Sequence, residues 1–155
     1  MSLSMSDAGR YLLDTNIILR LDPTDSQHVL TLTALSRLRR QQAELCITAQ
    51  NLIELRNVAT RPLSINGFGM TAAEADQNLS KIESLFARLP EVDDIYLLWR
   101  DIVTRGAIEG KQVHDARLVA VAQAHQCTHM LTYNVSHIQR IAIGTGIVVV
   151  DPVSI

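Results

Sequence analysis

The sequence predicts a three-layer α/β/α domain whose central sheet is mostly parallel. Short apolar segments with strand character alternate along the chain with longer segments of helical periodicity. Strands that alternate with helices are typical of a parallel sheet with helices on both faces. The chain has 155 residues, of which 47% are hydrophobic and 19% charged, which is enough for one domain with its own core. We therefore expect a single domain over residues 10–155. Residues 1–9 carry no pattern and are interpreted as a disordered terminus or a cloning remnant.

Four short apolar segments are predicted to be strands: residues 10–13, 45–48, 130–132 and 147–150. Six segments are predicted to be helices, and helix content should exceed strand content: residues 27–41, 49–60, 71 to about 88, 93–105, 113–126 and 135–143. Thr71 and Glu74 have the spacing of a capping box at the start of the third helix. Pro62 ends the second helix, because proline disfavours helical geometry in the preceding residue.

Two helices have faces that predict burial. In the first helix, Leu30, Leu35 and Leu38 lie on one side, which indicates an amphipathic helix. Residues 113–126 are rich in Ala and Val, so this helix should pack closely against the sheet.

Composition excludes some classes of protein and leaves nucleic-acid binding open. The longest apolar runs are far too short to span a bilayer, and the N-terminus lacks a secretory pattern, so we expect a soluble cytoplasmic protein. Cys46 and Cys127 lie in apolar settings and are interpreted as reduced core thiols. The net charge of −2 argues against a general nucleic-acid binder. Nearly all cations are Arg, which grips phosphate or carboxylate bidentately, so a local basic surface stays open.

Acidic and amide side chains follow predicted strand ends. Asp14 ends the first strand, Glu54 and Asp115 lie in early turns of helices, and Asn134 follows the third strand. Chemistry in a parallel sheet gathers outside the carboxyl ends of the strands, so all four side chains are expected in one crevice. Such oxygen donors suit Mg²⁺ and predict phosphodiester hydrolysis. Each acid also has a structural interpretation: Asp14 as a helix cap, Glu54 as a solvated surface residue, and Asp115 as a partner of the helix dipole.

The chain resembles the PIN domains, and among them the VapC-like ribonuclease toxins, over nearly its whole length. The resemblance lies in four stretches: Leu12-Leu-Asp14-Thr15-Asn16, Thr48-Ala-Gln-Asn-Leu-Ile-Glu54-Leu55, His114-Asp115-Ala116 and Leu131-Thr132-Tyr-Asn134.

This resemblance implies a metal-dependent endoribonuclease in which Asp14, Glu54 and Asp115 bind Mg²⁺ or Mn²⁺ near the scissile phosphate. Thr15 and Thr132 would supply supporting hydroxyls. Asn16 would brace the loop. The resemblance also implies a homodimer and an antitoxin protein that covers the acidic cleft.

Two positions depart from the family pattern. Many members carry Asp after the strand-end Thr and another Asp three residues later, whereas this chain has Asn134 and His137. Asn134 still offers a carbonyl oxygen, but the site keeps three carboxylates instead of four, which favours single-metal chemistry. His137 is interpreted as a surface residue, with a contact to substrate or metal as the alternative. Higher activity with Mn²⁺ than with Mg²⁺ would follow from that alternative.

Substrate contacts are less visible in the sequence. Aromatic residues make up only 4% of the chain, which argues against an extended stacking platform for RNA. Six residues are candidates for contacts to substrate or a partner: Lys111, His114, Arg117, Tyr133, His137 and Phe68. Packing, salt bridges or solvation are the structural alternatives for each.

Two further functions stay open. One is a weak or inactive PIN-like domain that binds RNA or protein, suggested by Asn134 and the acidic net charge. The other is a Mg²⁺-dependent phosphatase or phosphotransferase with Asp14 as covalent nucleophile. Asn16 replaces the second Asp usual in that class, and the chain has no P-loop.

Overall fold

The computed structural model describes residues 8–155 and contains one all-parallel sheet of five strands in the order β3-β2-β1-β4-β5. The strands are β1 (Arg10–Leu13), β2 (Glu44–Ile47), β3 (Ala87–Arg88), β4 (His129–Leu131) and β5 (Val148–Val150). The helices are α1 (Thr15–Leu19), α2 (His28–Arg40), α3 (Ala49–Thr60), α4 (Ala72–Leu85), α5 (Asp94–Arg105), α6 (Gln112–Ala124) and α7 (Val135–Ile141). Short 3₁₀ turns cover Leu63–Ile65 and Pro152–Ser154. The predicted three-layer α/β/α fold is confirmed, and residues 1–7 of the predicted terminus lie outside the described residues.

Successive residues of the central strand β1 bury opposite faces of the sheet. Leu12 packs in one core cluster with Met130 and the buried face of α6, while Leu13 packs in a second with Leu131 and Ile18 of α1. All of these side chains are buried. Both faces of the sheet are therefore covered, as expected for a parallel sheet.

Helix α6 is the predicted close-packing helix. Its residues from Leu118 to Ala122 are all buried, so apolar side chains cover most of its circumference. A helix that is apolar on nearly all sides belongs in the interior. Cys46 and Cys127 are buried free thiols, in agreement with their interpretation as core residues.

The prediction of helix up to about residue 88 is wrong. Helix α4 ends at Leu85, and Ala87 and Arg88 form the edge strand β3, which pairs in parallel with Cys46 and Ile47 of β2. A strand of two exposed residues has no alternation of its own, so only the pairing with β2 defines it.

The predicted buried stripe on α2 is wrong at one position. Leu35 and Leu38 are buried, but Leu30 is 38% exposed. Thr31 is fully buried in its place, and its hydroxyl donates to the carbonyl of Gln27. The buried face is thus rotated by one residue at the start of the helix, because the hydroxyl finds a backbone acceptor there.

Within residues 8–155, every helix is too short or too polar to cross a bilayer.

The carboxyl ends of β1, β2 and β4 lie at the same edge of the sheet. Asp14 follows β1, Thr48 follows β2, and Thr132 follows β4. The parallel register of β1 with both neighbours brings these three positions together.

Candidate active site

The carboxylate of Asp14 is fixed by hydrogen bonds to both of its oxygens. Oδ1 accepts from the backbone N–H of Thr15 at 2.7 Å, which makes Asp14 the N-cap of α1. Oδ2 accepts from Thr132 Oγ1 at 2.8 Å and from Asn16 Nδ2 at 3.3 Å. The structural interpretation of Asp14 as a cap is therefore correct, and the same side chain is also only 7% exposed at the edge of the sheet where a site was predicted.

The loop after β4 is tied to the loop after β1 through the same residues. Asn16 Nδ2 donates to Thr132 Oγ1 at 3.1 Å, and Asn16 Oδ1 accepts from the backbone N–H of Tyr133 at 3.1 Å. The backbone N–H of Asn134 also donates to Thr132 Oγ1, at 2.9 Å. Asn16 thus ties the loop after β1 to Thr132 and Tyr133, and Thr132 holds the backbone of Asn134.

Glu54 is held by neighbours on α1 and α3. Its Oε2 accepts from Thr15 Oγ1 at 2.5 Å, and its Oε1 accepts from Gln50 Nε2 at 2.9 Å. Asn51 Nδ2 donates to the same Thr15 hydroxyl at 3.0 Å. These contacts go beyond a simple solvated surface residue, because they orient the carboxylate toward the end of β1.

The direction of α3 follows from its N-terminus. Thr48 and Asn51 form a reciprocal capping box, in which each side chain bonds to the backbone N–H of the other. Both residues are fully buried. Because this box fixes where α3 begins, it also fixes Gln50 and Glu54 relative to the sheet.

Gln50 links α3 to the helix that carries Asp115. Its Nε2 donates to the carbonyl of His114 at 2.9 Å as well as to Glu54, and its Oε1 accepts from Arg117 Nη1 at 3.2 Å. The start of α6 is thereby attached to the acid on α3.

The three acids act on one another electrostatically. The pKa of Asp14 is raised to about 6: burial is the largest cause and the charges of Asp115 and Glu54 add to it, while the hydrogen bonds from Thr132 and Thr15 oppose the rise. Burial and the charge of Glu54 raise the pKa of Asp115, and the nearby His137 and His114 oppose that rise. Asp14, Glu54 and Asp115 thus lie close enough for their charges to interact, and we refer to them as the acid cluster.

None of the three acids has a cationic partner in the described part of the chain. The five salt bridges of residues 8–155 join other acids: Glu44, Asp25, Asp76, Asp101 and Glu91. The acid cluster is instead held by neutral hydroxyl, amide and backbone donors. A buried negative charge of this kind is costly unless a cation neutralises it.

The residues of the acid cluster fit a hard divalent cation in donor chemistry. Mg²⁺ and Mn²⁺ prefer oxygen ligands, and Mg²⁺ usually takes one or two carboxylates and keeps several waters. Within residues 8–155, no group of three or more Asp, Glu, His or Cys side chains is placed to hold a metal ion. A cation at the acid cluster would therefore need water and substrate oxygens as ligands in addition to carboxylates.

A sequence profile for the PIN domain matches residues 11–143. This chain belongs to the PIN domain family. A search of curated proteins finds no significant match.

Several solved structures share the fold of this PIN domain. A chain of VapBC2 from Rickettsia felis, solved with a DNA fragment from its promoter, is 17% identical with a TM-score of 0.69, covering 92% of this chain and 98% of that one. A chain of VapBC-1 from nontypeable Haemophilus influenzae is 19% identical with a TM-score of 0.66, covering 92% and 98%. A chain of a toxin-antitoxin complex from Klebsiella pneumoniae is 20% identical with a TM-score of 0.63, covering 92% and 97%. The similarity extends over nearly all of each chain.

The remaining sequence candidates occupy different places in this PIN domain. The charges of His114 and His137 act on Asp115, so both residues lie beside the acid cluster. Asn134 is exposed at the start of α7, and its side chain makes no capping bond. Lys111 is exposed before the start of α6.

Three other candidates are engaged in protein contacts. The hydroxyl of Tyr133 shares a hydrogen bond with that of Thr31 at 2.6 Å, and its ring packs on the core, which agrees with a packing residue. Phe68 is half-buried and lines a small cavity of about 110 Å³, so it is partly enclosed and not fully presented to a partner. Arg117 forms a salt bridge with Glu91 at 2.5 Å.

Sequence reasoning missed Gln50 and Asn51 as site residues. The available signals were the capping-box spacing from Thr48 to Asn51 and the four-residue spacing from Gln50 to Glu54, which places these two side chains on one side of a helix.

Proposed function

We propose that this PIN domain is a metal-dependent endoribonuclease that hydrolyses phosphodiester bonds of RNA, and that it is the toxin of a toxin-antitoxin pair. The observation that carries the proposal is the acid cluster: three carboxylates at the end of a parallel sheet, with raised pKa values for Asp14 and Asp115 and no cationic partner in residues 8–155. A structural role alone would favour pairing with a cation. The fold shared with toxin-antitoxin complexes supports the same proposal.

Asp14, Glu54 and Asp115 would hold the cation. When bound, Mg²⁺ or Mn²⁺ supplies Lewis acidity at the scissile phosphate and lowers the pKa of the attacking water. Thr132 and Asn16 keep one oxygen of Asp14 in place by hydrogen bonds, so that the carboxylate needs little reorganisation.

The other residues beside the acid cluster have accessory roles in this proposal. Thr15 and Gln50 orient the two oxygens of Glu54. Asn134 offers an exposed amide oxygen in place of the usual fourth acid, and three carboxylates favour a single cation. The charges of His114 and His137 act on Asp115, and in this proposal their imidazoles would contact the RNA phosphate.

The test is cleavage of labelled single-stranded and structured RNA with Mn²⁺, Mg²⁺ or EDTA. We expect metal-dependent cutting by the natural chain and its loss in Asp14→Asn and Asp115→Asn. Glu83→Gln on the exposed surface of α4 is the matched control, since it removes one carboxylate away from the sheet edge and should cut normally. Cutting that survives EDTA or both Asn substitutions would refute the proposal.

The second candidate is a PIN domain that binds RNA or protein without cutting. Asn134 favours it, because an amide in place of the fourth carboxylate weakens cation binding, and the net charge of −2 favours a protein partner over RNA. Binding of labelled RNA with no cleavage at saturating Mn²⁺ would establish this candidate in place of the nuclease.

The phosphatase alternative is disfavoured by the sequence around Asp14. Asn16 replaces the second Asp usual in that class, so no second carboxyl group lies two residues after the nucleophile to act as acid or base, and the chain has no P-loop. A trapped acyl-phosphate on Asp14 would reverse this judgement.

The partners of this proposal are RNA, an antitoxin protein and a second copy of the chain. The toxin-antitoxin complexes that share the fold support the antitoxin, which we expect to inhibit cleavage when it is mixed with the purified chain. The homodimer and the cytoplasmic location expected from the sequence stay predictions. Light scattering at micromolar concentration tests the dimer, and a monodisperse monomer would contradict it.

A further inference from the structure

A cavity of about 500 Å³ lies between the segment that precedes α5 and the first turns of α6. Its lining includes Tyr96, Trp99 and Val92, together with the charged residues Glu91, Asp93 and Arg117. We refer to it as the aromatic cavity. Its volume lies within the range of pockets that bind small organic ligands.

The walls of the aromatic cavity suit a flat aromatic ligand. Tyr96 is 59% exposed, and its ring centroid lies 5.9 Å from that of Trp99 with an angle of 31° between the rings. The indole of Trp99 is fixed, because Nε1 donates to the carbonyl of Val113 at 2.8 Å. An exposed ring beside a fixed one offers a stacking surface that is already in position.

The charged residues of the cavity favour an uncharged ligand over a phosphate. The guanidinium of Arg117 is paired with Glu91 at 2.5 Å and also donates to Gln50 at 3.2 Å. Its charge is therefore balanced within the protein. Glu91 and Asp93 present carboxylate oxygens, which accept hydrogen bonds from the N–H groups of a heterocycle and repel a phosphate.

The aromatic cavity is connected to the acid cluster by two hydrogen bonds. Arg117, in the cavity wall, bonds to Gln50, and Gln50 bonds to Glu54. Gln50 also holds the carbonyl of His114, next to Asp115. The wall of the cavity and the acid cluster are thus linked through Arg117 and Gln50.

We propose that the aromatic cavity binds a single unpaired nucleobase of the RNA substrate, stacked on Tyr96, next to the scissile phosphate. Sequence-tolerant stacking of unpaired bases on aromatic side chains is a general mode of single-strand recognition. This inference rests on the proposed function, because that proposal is what makes RNA the substrate. Its chemical basis is the exposed ring, the neutral ion pair and the hydrogen-bonded link from Arg117 through Gln50 to the acid cluster.

Trp99 is the one tryptophan of the chain, so its fluorescence reports on the cavity. The full chain in EDTA is titrated with a short single-stranded RNA, and with a ribose-phosphate oligomer of the same length that lacks bases. RNA should quench Trp99 and the abasic oligomer should not. Tyr96→Ala should weaken the RNA Kd about 5- to 150-fold, the range for loss of one stacked base. Tyr96→Phe keeps the ring and should stay within about twofold of the natural chain.

Leu97→Ala is the matched control, because Leu97 is 65% exposed on the same helix and does not line the cavity. Equal RNA affinity in Tyr96→Ala and Leu97→Ala would overturn the proposal, as would quenching by the abasic oligomer. A change of oligomeric state in Tyr96→Ala, measured by light scattering, would make the cavity an interface between two copies of the chain and also overturn it.

The nuclease proposal is tested separately on the same preparations by adding Mn²⁺. Quenching that depends on Tyr96 without any cleavage would refute the nuclease and retain the nucleobase site. Cleavage with quenching that does not depend on Tyr96 would retain the nuclease and refute the nucleobase site.

Discussion

Replacing Asp14 by Asn should stabilise the protein at neutral pH while it abolishes cleavage. The pKa of Asp14 rises from 3.8 to about 6, first because of burial and then because of the charges of Asp115 and Glu54. The folded state therefore disfavours the ionised carboxylate. The cost is absent well below pH 4, grows between about pH 4 and 6, and is constant above that range.

The size of the effect follows from the two pKa values. At about 1.4 kcal/mol per pH unit, ionised Asp14 costs the fold about 3 kcal/mol at pH 7.5 and about 1 kcal/mol at pH 4.5. Asn does not titrate. Its amide also loses part of the hydrogen bonding that Oδ2 makes with Thr132 and Asn16, at a cost that is nearly independent of pH. The stability difference between Asp14→Asn and the natural chain should therefore rise by about 2 kcal/mol from pH 4.5 to pH 7.5.

Urea unfolding of both proteins in EDTA at the two pH values measures this difference. The difference in thermal midpoint between Asp14→Asn and the natural chain should be roughly 4–8 °C larger at pH 7.5 than at pH 4.5. Mn²⁺ should then raise the stability of the natural chain at pH 7.5 but not that of Asp14→Asn, because only the carboxylate gains from the cation. Glu83→Gln is the control: its stability relative to the natural chain should not change with pH, and Mn²⁺ should stabilise it as much as the natural chain. A stability difference that is the same at both pH values, or that falls as pH rises, would refute the reasoning.

Three other perturbations test the contacts around the acid cluster. Thr132→Val removes the hydroxyl that donates to Asp14 and should lower the free energy of unfolding, measured in urea, by about 1–3 kcal/mol. Thr132→Ser keeps the hydroxyl and should retain most of the stability. If Thr132→Val is as stable as the natural chain, this role of Thr132 is contradicted. Gln50→Ala removes the link between Glu54 and α6. It should lower kcat about 10- to 100-fold with little change in the thermal midpoint of unfolding. An unchanged kcat would show that Gln50 does not position Glu54. The natural chain should cut RNA faster with Mn²⁺ than with Mg²⁺, and His137→Ala should lose this preference. Equal cleavage rates of the natural chain with the two metals at saturation would leave no reason to involve His137.

The sheet was largely predictable because its interior strands are apolar on both faces and flanked by helices. β1, β2, β4 and β5 all lie within a residue or two of the predicted segments. β3 was not predictable, since two exposed residues become a strand only by pairing with β2. The burial of Leu30 was mispredicted for a similar reason. Thr31 is buried instead because its hydroxyl bonds to the carbonyl of Gln27 and to the hydroxyl of Tyr133, and sequence periodicity does not reveal these bonds.

The acids of the site were identifiable from their positions after strands and in early helical turns. What the sequence could not supply is which neutral donors hold them. Gln50 contacts three partners on two helices, and two of these, His114 and Arg117, are more than 60 residues away in the chain. Tyr133 was the aromatic candidate for a substrate contact from sequence, whereas Tyr96 and Trp99 on α5 line a cavity with Arg117 only because α5 packs against α6.

The net charge of −2 then has a local explanation that does not conflict with RNA binding. Asp14, Glu54 and Asp115 concentrate negative charge where a phosphate must arrive, so the acid cluster repels RNA until a cation neutralises it. The aromatic cavity binds through stacking beside a neutral ion pair, and its contribution should not depend on metal. RNA affinity measured in EDTA should therefore report the aromatic cavity, with a weak dependence on salt, since few phosphates are neutralised. The gain in affinity on adding Mn²⁺ should report the acid cluster, and Asp115→Asn should reduce that gain while it leaves the affinity in EDTA equal or higher.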